Sequence, residues 1–209
     1  MDIIKQGKND TEKEKPEVTE QINVNQLISL VPEEEPAPVI KLEITEEDQK
    51  TIENFHFPAY NEIPDVGLFL EQTGKYINEF LRPLLKTELT GSMISNYVKK
   101  KIIESPVKKQ YYRDHIVALI LIAIAKPILS LDSISRMVEV EKTLSNSREM
   151  YETFCGIFEE TLKKTFHLSD EKQIDEDGDN ATIVMRYISA AVSYKIFLDR
   201  CFEQTDTPT

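Results

Sequence analysis

Ser92, Ser95, Asn96 and Lys99 fall at i, i+3, i+4 and i+7, so a helix drawn through them carries all four on one face. Short hydroxyl and amide side chains both donate and accept hydrogen bonds. In a groove of duplex DNA they meet base edges, and a lysine beside them meets a phosphate. Lys100 continues that charge. Beyond Pro106 the run Lys108-Lys109-Gln110-Tyr111-Tyr112-Arg113 sets three cations around two tyrosines, a composition suited to a basic wing in which Lys108, Lys109, Tyr112 and Arg113 grip the phosphate backbone. Tyr97 and Tyr111 are expected in the core.

The charge distribution points the same way. Arg82 to Lys126 holds nine Lys/Arg against three acids, a balance of +6, within a 209-residue chain of net charge −12, so the remainder carries −18. Cationic charge is concentrated where a polyanion could be held, and the rest would repel one.

Several elements must position these residues. Thr90 has the chemistry of an N-cap for a helix from 91 to about 101, and Ile102 to Val107 ends that helix and turns the chain. Upstream, Leu68, Phe69, Tyr76, Ile77, Phe80, Leu81, Leu84 and Leu85 recur at steps of three and four, which predicts one helix from about 66 to 85 with a kink near Pro83. Before it, FHFPAYNEIPDVGLFLEQ begins at Phe55 and packs aromatics between Pro58 and Pro64, so an extended strap is expected where order begins. Downstream, Asp114 opens a helix in which Ile116, Leu119, Ile120 and Ala123 form a stripe and Val117, Leu121, Ile122 and Ile124 cover the remainder. That helix is expected to be buried nearly all round. Ser130 then caps a shorter helix running through Met137 and Val138.

Two resemblances enter through these residues. From Phe55 to about Val140 the chain resembles the bacterial domain of unknown function 1836 family, through FHFPAYNEIPDVGLFLEQ, MISNYVKKKIIESPVKKQYYRDHI and LSLDSIS. More distantly, Leu89 to Met137 resembles the DNA-binding half of MerR-type regulators. Ile94, Asn96-Tyr97, Lys101-Ile102-Ile103 and Pro106 take the places of that family's leucine, paired tyrosines, Gly-Leu-Leu turn and proline. Lys109-Gln110-Tyr111 resembles its Arg-x-Tyr wing, and Ser130-Leu131-Asp132-Ser133-Ile134 its Ser-Leu-x-x-Ile. The chain departs from the pattern at Ser95, where those regulators place a phosphate-binding arginine, at Asn96 for the first tyrosine, and at Lys101 for the glycine.

The two ends of the chain read differently. Residues 1 to 50 carry thirteen acids against six lysines and no aromatic residue, too little apolar surface to offset ordering entropy, so a mostly disordered acidic arm is expected. Residues 145 to 203 read as two helices, 147–167 and 181–203, joined by the polar loop Ser169 to Asn180. In the second, Val184, Tyr187, Ala191, Tyr194, Leu198 and Cys201 form a heptad seam, widened by Ile183, Ile188, Val192 and Ile196. A seam so wide either joins the core or meets another subunit. The hairpin is expected to pack on the core and help form a homodimer.

Other chemistries find little support. Aligning Gly178 to the sixth position of a calcium loop puts Gln173 first and Val184 twelfth, without the essential carboxylates. His56, His115 and His167 are scattered, Cys155 and Cys201 lack metal-ligand spacing, and no glycine-rich phosphate loop or nucleophile with a paired base appears. No metal, cofactor or enzymatic activity is expected. The longest uninterrupted apolar run, Ile116 to Ala125, is far shorter than the roughly 20 residues that span a bilayer, so a cytoplasmic, non-membrane protein with reduced thiols is expected.

The reading is a mainly α protein in three parts. Residues 1–50 form the arm, 51–142 a MerR-like winged helix-turn-helix domain, and 143–209 a C-terminal helical hairpin for dimerisation or effector sensing. The resemblance implies transcriptional regulation on double-stranded DNA, with an unidentified protein or small-molecule effector as a further partner. The alternative is a protein-protein adaptor on a winged-helix scaffold without DNA binding, which the −18 balance favours.

Overall fold

The computed structural model describes residues 44–141, 146–169 and 178–205; most of the acidic arm and the middle of the polar loop, with Asp175 to Asp177, lie outside them. In chain order come α1 (Glu46–Glu53), a 3-10 turn (Tyr60–Glu62), β1 (Leu68–Phe69), α2 (Leu70–Leu81), α3 (Gly91–Lys99), β2 (Gln110–Tyr111), α4 (Arg113–Ala125), α5 (Leu131–Glu141), α6 (Ser147–Thr165) and α7 (Asn180–Thr205). The protein is mainly helical, with a small antiparallel sheet that pairs Leu68 with Tyr111 and Phe69 with Gln110.

α4 is the centre. Ile116, Val117 and the whole run Leu119 to Ala125 are buried, so the helix has no solvent face beyond its first turn, as its sequence predicts. α2, α5, α6, α7 and β2 all pack against it. Each fully buried Leu or Ile contributes about 2 kcal/mol of transfer free energy. One hydrophobic cluster runs from Ile52 to Ile196 and crosses the expected boundary at residue 142. The described residues therefore pack around one shared core.

The strap from Phe55 to Gly67 is extended up to its 3-10 turn and is clamped onto α6. Phe57 meets Phe55, Phe80, Tyr151, Phe154 and Phe158 edge-on, at ring-centroid distances of 5.1 to 6.5 Å. Glu159 accepts the Phe57 backbone N–H at 2.9 Å and bonds His56 Nδ1 at 2.9 Å, while Tyr151 Oη donates to the Pro58 carbonyl at 2.8 Å. Burial raises the Tyr151 phenol well above its ordinary range. The same burial pushes the Cys155 thiol up from 9.0 to about 12, with Glu159 and Glu152 adding to it.

Three expectations are corrected. Order starts before Phe55: α1 begins at Glu46, capped by Thr45 Oγ1 accepting from Asp48 N at 3.0 Å, with three acids in its first turn where the helix dipole favours them. Ile52 is buried and Asp48 pairs with Arg200 at 3.4 Å, so this helix is docked despite lacking aromatics. The helix expected over 66–85 is α2, shorter at both ends. Leu68 and Phe69 are held extended by the ladder to β2, and residues 82–84 turn at Pro83 while Leu84 and Leu85 stay buried.

The third correction concerns α7. Its buried face is Ala181, Met185, Ile188, Val192 and Ile196, whereas Tyr187, Ala191, Tyr194 and Leu198 of the expected seam are exposed and only its last member, Cys201, is fully buried. Small Ser189, Ala190 and Ser193 beside the buried face let the helix approach its neighbours closely, and the tyrosines keep their hydroxyls in water. α7 is long and apolar enough, at a mean hydropathy of 1.2, to cross a membrane by length and composition, but 44% of that window is buried in the fold.

Two stability predictions follow from this packing. Ser189 and Ser193 are fully buried, and among the described residues their hydroxyls have no hydrogen-bond partner. Ser189→Ala and Ser193→Ala should each raise stability by about 1 kcal/mol, seen as a thermal midpoint higher by about 2–4 °C. Below pH 9 the Cys155 thiol is protonated in both folded and unfolded chains and contributes no slope. Above pH 9 the unfolded chain releases a proton that the folded chain keeps until about pH 12, and the raised tyrosines act in the same sense. The urea midpoint should therefore fall as pH rises from 9 toward 12.

Candidate nucleic-acid interface

α3 forms where its caps permit. Thr90 Oγ1 accepts from Met93 N at 3.3 Å and shares a 2.9 Å hydrogen bond with Ser92 Oγ. Ile94 and Tyr97 turn into the core; Ser92, Ser95, Asn96 and Lys99 are exposed on the other face. The helix ends in a Schellman motif: Ile102 N donates to Tyr97 O and Lys101 N to Val98 O, both at 2.9 Å. Lys101 occupies the left-handed position of that motif, φ 58°, which normally favours glycine. Ile102 and Ile103 are buried directly after it and anchor the end of the helix.

The start of α3 is fixed from α2. Asn78 Nδ2 donates to the Leu89 carbonyl at 3.0 Å and Asn78 Oδ1 accepts from Leu89 N at 2.8 Å, so one side chain replaces both backbone partners of that residue. Gly74 allows the approach, since a Cβ there would lie 3.3 Å from the Leu89 oxygen.

The basic loop is a tight hairpin. Val107 N donates to Gln110 O at 3.1 Å and Gln110 N to Val107 O at 2.9 Å, closing a two-residue turn. Lys108 and Lys109 form its tip with φ of 50° and 65°, the positive pair of a type I′ turn, and both are exposed. The returning strand continues as β2 against β1.

Tyr112 and Arg113 are half-buried and engaged within the protein. Tyr112 Oη donates to Gln110 Oε1 at 3.3 Å. Arg113 Nε donates to the Ile63 carbonyl at 3.0 Å, its Nη1 lies 3.8 Å from Asp65, and its guanidinium sits 5.2 Å from the Tyr60 ring centre. These two residues brace the root of the hairpin against the strap. Gly67 belongs to the same brace, because a Cβ there would come within 2.7 Å of the Gln110 Cβ.

The nine residues named from sequence therefore divide. Ser92, Ser95, Asn96, Lys99, Lys100, Lys108 and Lys109 are exposed, and Tyr112 and Arg113 are not free. Among the described residues, none of Lys99, Lys100, Lys101, Lys108 and Lys109 is in an ion pair, while Arg82, Lys86, Arg148, Lys164, Lys195 and Arg200 all are. Asn78 and Gly67 went unnoticed in the sequence: a lone asparagine in a helix and a glycine in an extended strap carry no pattern of their own. Among the described residues no group of three His, Cys, Asp or Glu is placed to hold a metal ion.

Residues 58–154 match the family model described as Domain of unknown function (DUF1836), which supports the first resemblance drawn from the sequence. No curated protein and no solved structure matches the chain.

The left-handed lysine gives a direct test of the local geometry. A non-glycine residue there costs about 1–2 kcal/mol, and glycine returns part of that as extra entropy in the unfolded chain. Lys101→Gly should therefore stabilise the protein by up to about 1 kcal/mol, measured as a higher urea midpoint with an unchanged slope.

Proposed function

We propose that this chain is a double-stranded-DNA-binding transcriptional regulator of the cytoplasm, built on a winged helix-turn-helix scaffold of MerR-like plan. The observation that carries the reading is the exposed cationic surface, free of ion pairs among the described residues: the Ser92, Ser95, Asn96 and Lys99 face of α3, continued by Lys100 and Lys101, with Lys108 and Lys109 at the hairpin tip. The order β1, α2, α3, hairpin, α4, α5 supports it, since a helix pair followed by a basic hairpin and a further helix is how a winged helix presents one helix to the major groove and its wing to the backbone. Ser92, Ser95 and Asn96 would meet base edges. Lys99, Lys100, Lys108 and Lys109 would meet phosphates, and Tyr112 and Arg113 would act indirectly by holding the wing in place.

A second reading, a protein-binding adaptor, has its own support. Phe69 and Val107 both pair with Gln110 across the small sheet and, with Val66, leave three large apolar side chains exposed beside the hairpin. An adaptor would use that patch and leave the lysines without a partner.

Fluorescence anisotropy against random duplexes decides between them. A regulator should bind at low salt, and log affinity should fall linearly with log salt at a slope of about −3.6 for four lysine–phosphate contacts. Reversing Lys99, Lys108 and Lys109 to Glu should abolish binding. No binding at low salt, or binding indifferent to that reversal, would remove the DNA reading.

A further inference from the structure

Next to the end of α3 the fold leaves a concavity of about 330 Å³ that the proposed DNA contact does not use. Its walls come from segments far apart in sequence: the residues that follow α3, the first turns of α4, the end of α5 and the start of α6. The volume falls within the range of small-molecule sites, roughly 300–1,000 Å³. Ile102, Ile103, Val117, Leu121 and Val138 are buried and form the floor, with half-buried Ala118 and Met150 beside them. The polar members of the lining, Glu104, Asp114, His115, Asn146 and Ser147, are all exposed or half-buried and so make the rim. A molecule that fits this arrangement has an apolar body and a polar head.

The charge of the rim is one-sided. Glu104 and Asp114 are acidic, and among the described residues no Lys or Arg lines the concavity and neither carboxylate is in an ion pair. Arg113 and Arg148, which flank Asp114 and Ser147 in sequence, are engaged elsewhere, with the Ile63 carbonyl at 3.0 Å and with Glu152 at 2.8 Å. Asp114 Oδ1 accepts from Tyr60 Oη at 3.2 Å and from Ser147 Oγ at 2.9 Å, which leaves Oδ2 without a hydrogen-bond partner among the described residues. Glu104 has none there for either oxygen. His115 Nδ1 accepts the Tyr112 backbone N–H at 3.2 Å, so its ring is neutral and supplies no countercharge.

We propose that this concavity binds a small primary amine with a single-ring apolar body, its ammonium held by Glu104 and Asp114 and its ring seated on the floor of Ile102, Ile103, Val117, Leu121 and Val138. A primary ammonium has three N–H donors and no acceptor, which suits a rim that offers carboxylate oxygens. An anion of the same shape would meet two carboxylates with no cation to offset them, a juxtaposition that costs several kcal/mol. A neutral alcohol would keep the apolar contact and lose the charge-assisted hydrogen bonds, which are roughly twice as strong as neutral ones. The volume, at the small end of the range, takes one ring with a short chain and excludes a fused polycycle.

The site shares no residue with the exposed face of α3 or with the hairpin tip, so it does not rest on the DNA reading. Because its walls are brought together only by folding, a bound amine stabilises the folded chain by mass action and raises the thermal midpoint. A probe with few atoms binds modestly, with a dissociation constant of about 1 mM or below.

The test is thermal melting and titration calorimetry of the full chain without DNA, with phenethylamine as the probe and phenethyl alcohol and hydrocinnamate as its neutral and anionic counterparts at matched ionic strength. The midpoint should rise with the amine and the heat of binding should saturate; the alcohol should bind about tenfold more weakly and the anion not at all. Glu104→Gln changes an exposed side chain, so it should keep the wild-type midpoint while weakening the amine about tenfold. Ala118→Leu fills the concavity from α4 and should abolish binding of amine and alcohol alike while the helical circular dichroism is retained. Should that variant fail to fold, chemical-shift mapping of the wild type replaces it, with the amine expected to move signals of Ile102, Val117, Leu121 and Val138. No saturable binding of the amine up to about 20 mM, binding that Ala118→Leu leaves intact, or shifts confined to other residues would overturn the site. Alcohol bound as tightly as the amine, or Glu104→Gln without effect on the amine, would overturn the choice of an ammonium.

Discussion

A helix that is apolar around its whole circumference can exist in water only if other elements enclose it, and α4 imposes that constraint on the rest of the fold. α2, α5, α6, α7 and β2 form its enclosure. Only its first turn reaches the surface, and there three consecutive residues each tie down a different part of the coat. Arg113 holds the strap through Ile63 O and the Tyr60 ring. Asp114 Oδ1 accepts from Tyr60 Oη at 3.2 Å and from Ser147 Oγ at 2.9 Å, joining the strap to the start of α6. His115 Nδ1 must accept, because the Tyr112 backbone N–H at 3.2 Å can only donate; its proton then sits on Nε2, 3.4 Å from the Ser105 carbonyl in the loop leading to the hairpin. The hairpin that carries Lys108 and Lys109 is thus mounted on the most buried element of the protein.

Backbone conformation and charge coincide in this segment. Three of the four non-glycine residues at positive φ among those described are Lys101, Lys108 and Lys109, at the end of α3 and the tip of the hairpin. Glycine at Lys101 and Asn-Gly at the turn would suit the backbone better. Strain of this kind persists where the surroundings over-determine it, and here the buried Ile102 and Ile103 on one side and the β1–β2 ladder on the other do so. What lysine adds at these positions is charge, and each lysine stands free of any ion pair among the described residues. That is the physical basis for reading the segment as a surface for a polyanion rather than as an incidental loop.

Much of the core was legible because periodicity and burial are local signals. The unbroken run from Ile116 announced an enclosed helix, Thr90 and Ser130 announced helix starts through capping chemistry, and the paired prolines announced the strap. The four-residue polar face of α3 emerged exposed as its spacing predicts. The misreadings share one cause, the choice a chain makes among competing tertiary partners. Leu68 and Phe69 fit a helical repeat as well as a strand, and only the distant partner Gln110-Tyr111 decides between them. α7 is apolar over more than one face, so periodicity could not say which side α6 and α4 would take. Arg113 looks like a phosphate ligand in sequence because a carbonyl fifty residues away is invisible there.

The strap links these observations into one mechanical argument. Phe57 is held by aromatic rings from α2 and α6, and from that anchor the chain passes through Tyr60 and Ile63 to the Arg113 brace and then to Gly67, against which Gln110 and Tyr112 rest. α3 is fixed independently by Asn78 at its start and by Ile102 and Ile103 at its end. Both halves of the cationic surface are therefore tied to the same core by well-packed side chains rather than by their own loops. A surface held this way keeps the backbone positions of its lysines fixed on the core without a ligand to order them. Preorganisation of that kind lowers the ordering cost of binding, which would otherwise consume much of what a handful of exposed lysines can contribute.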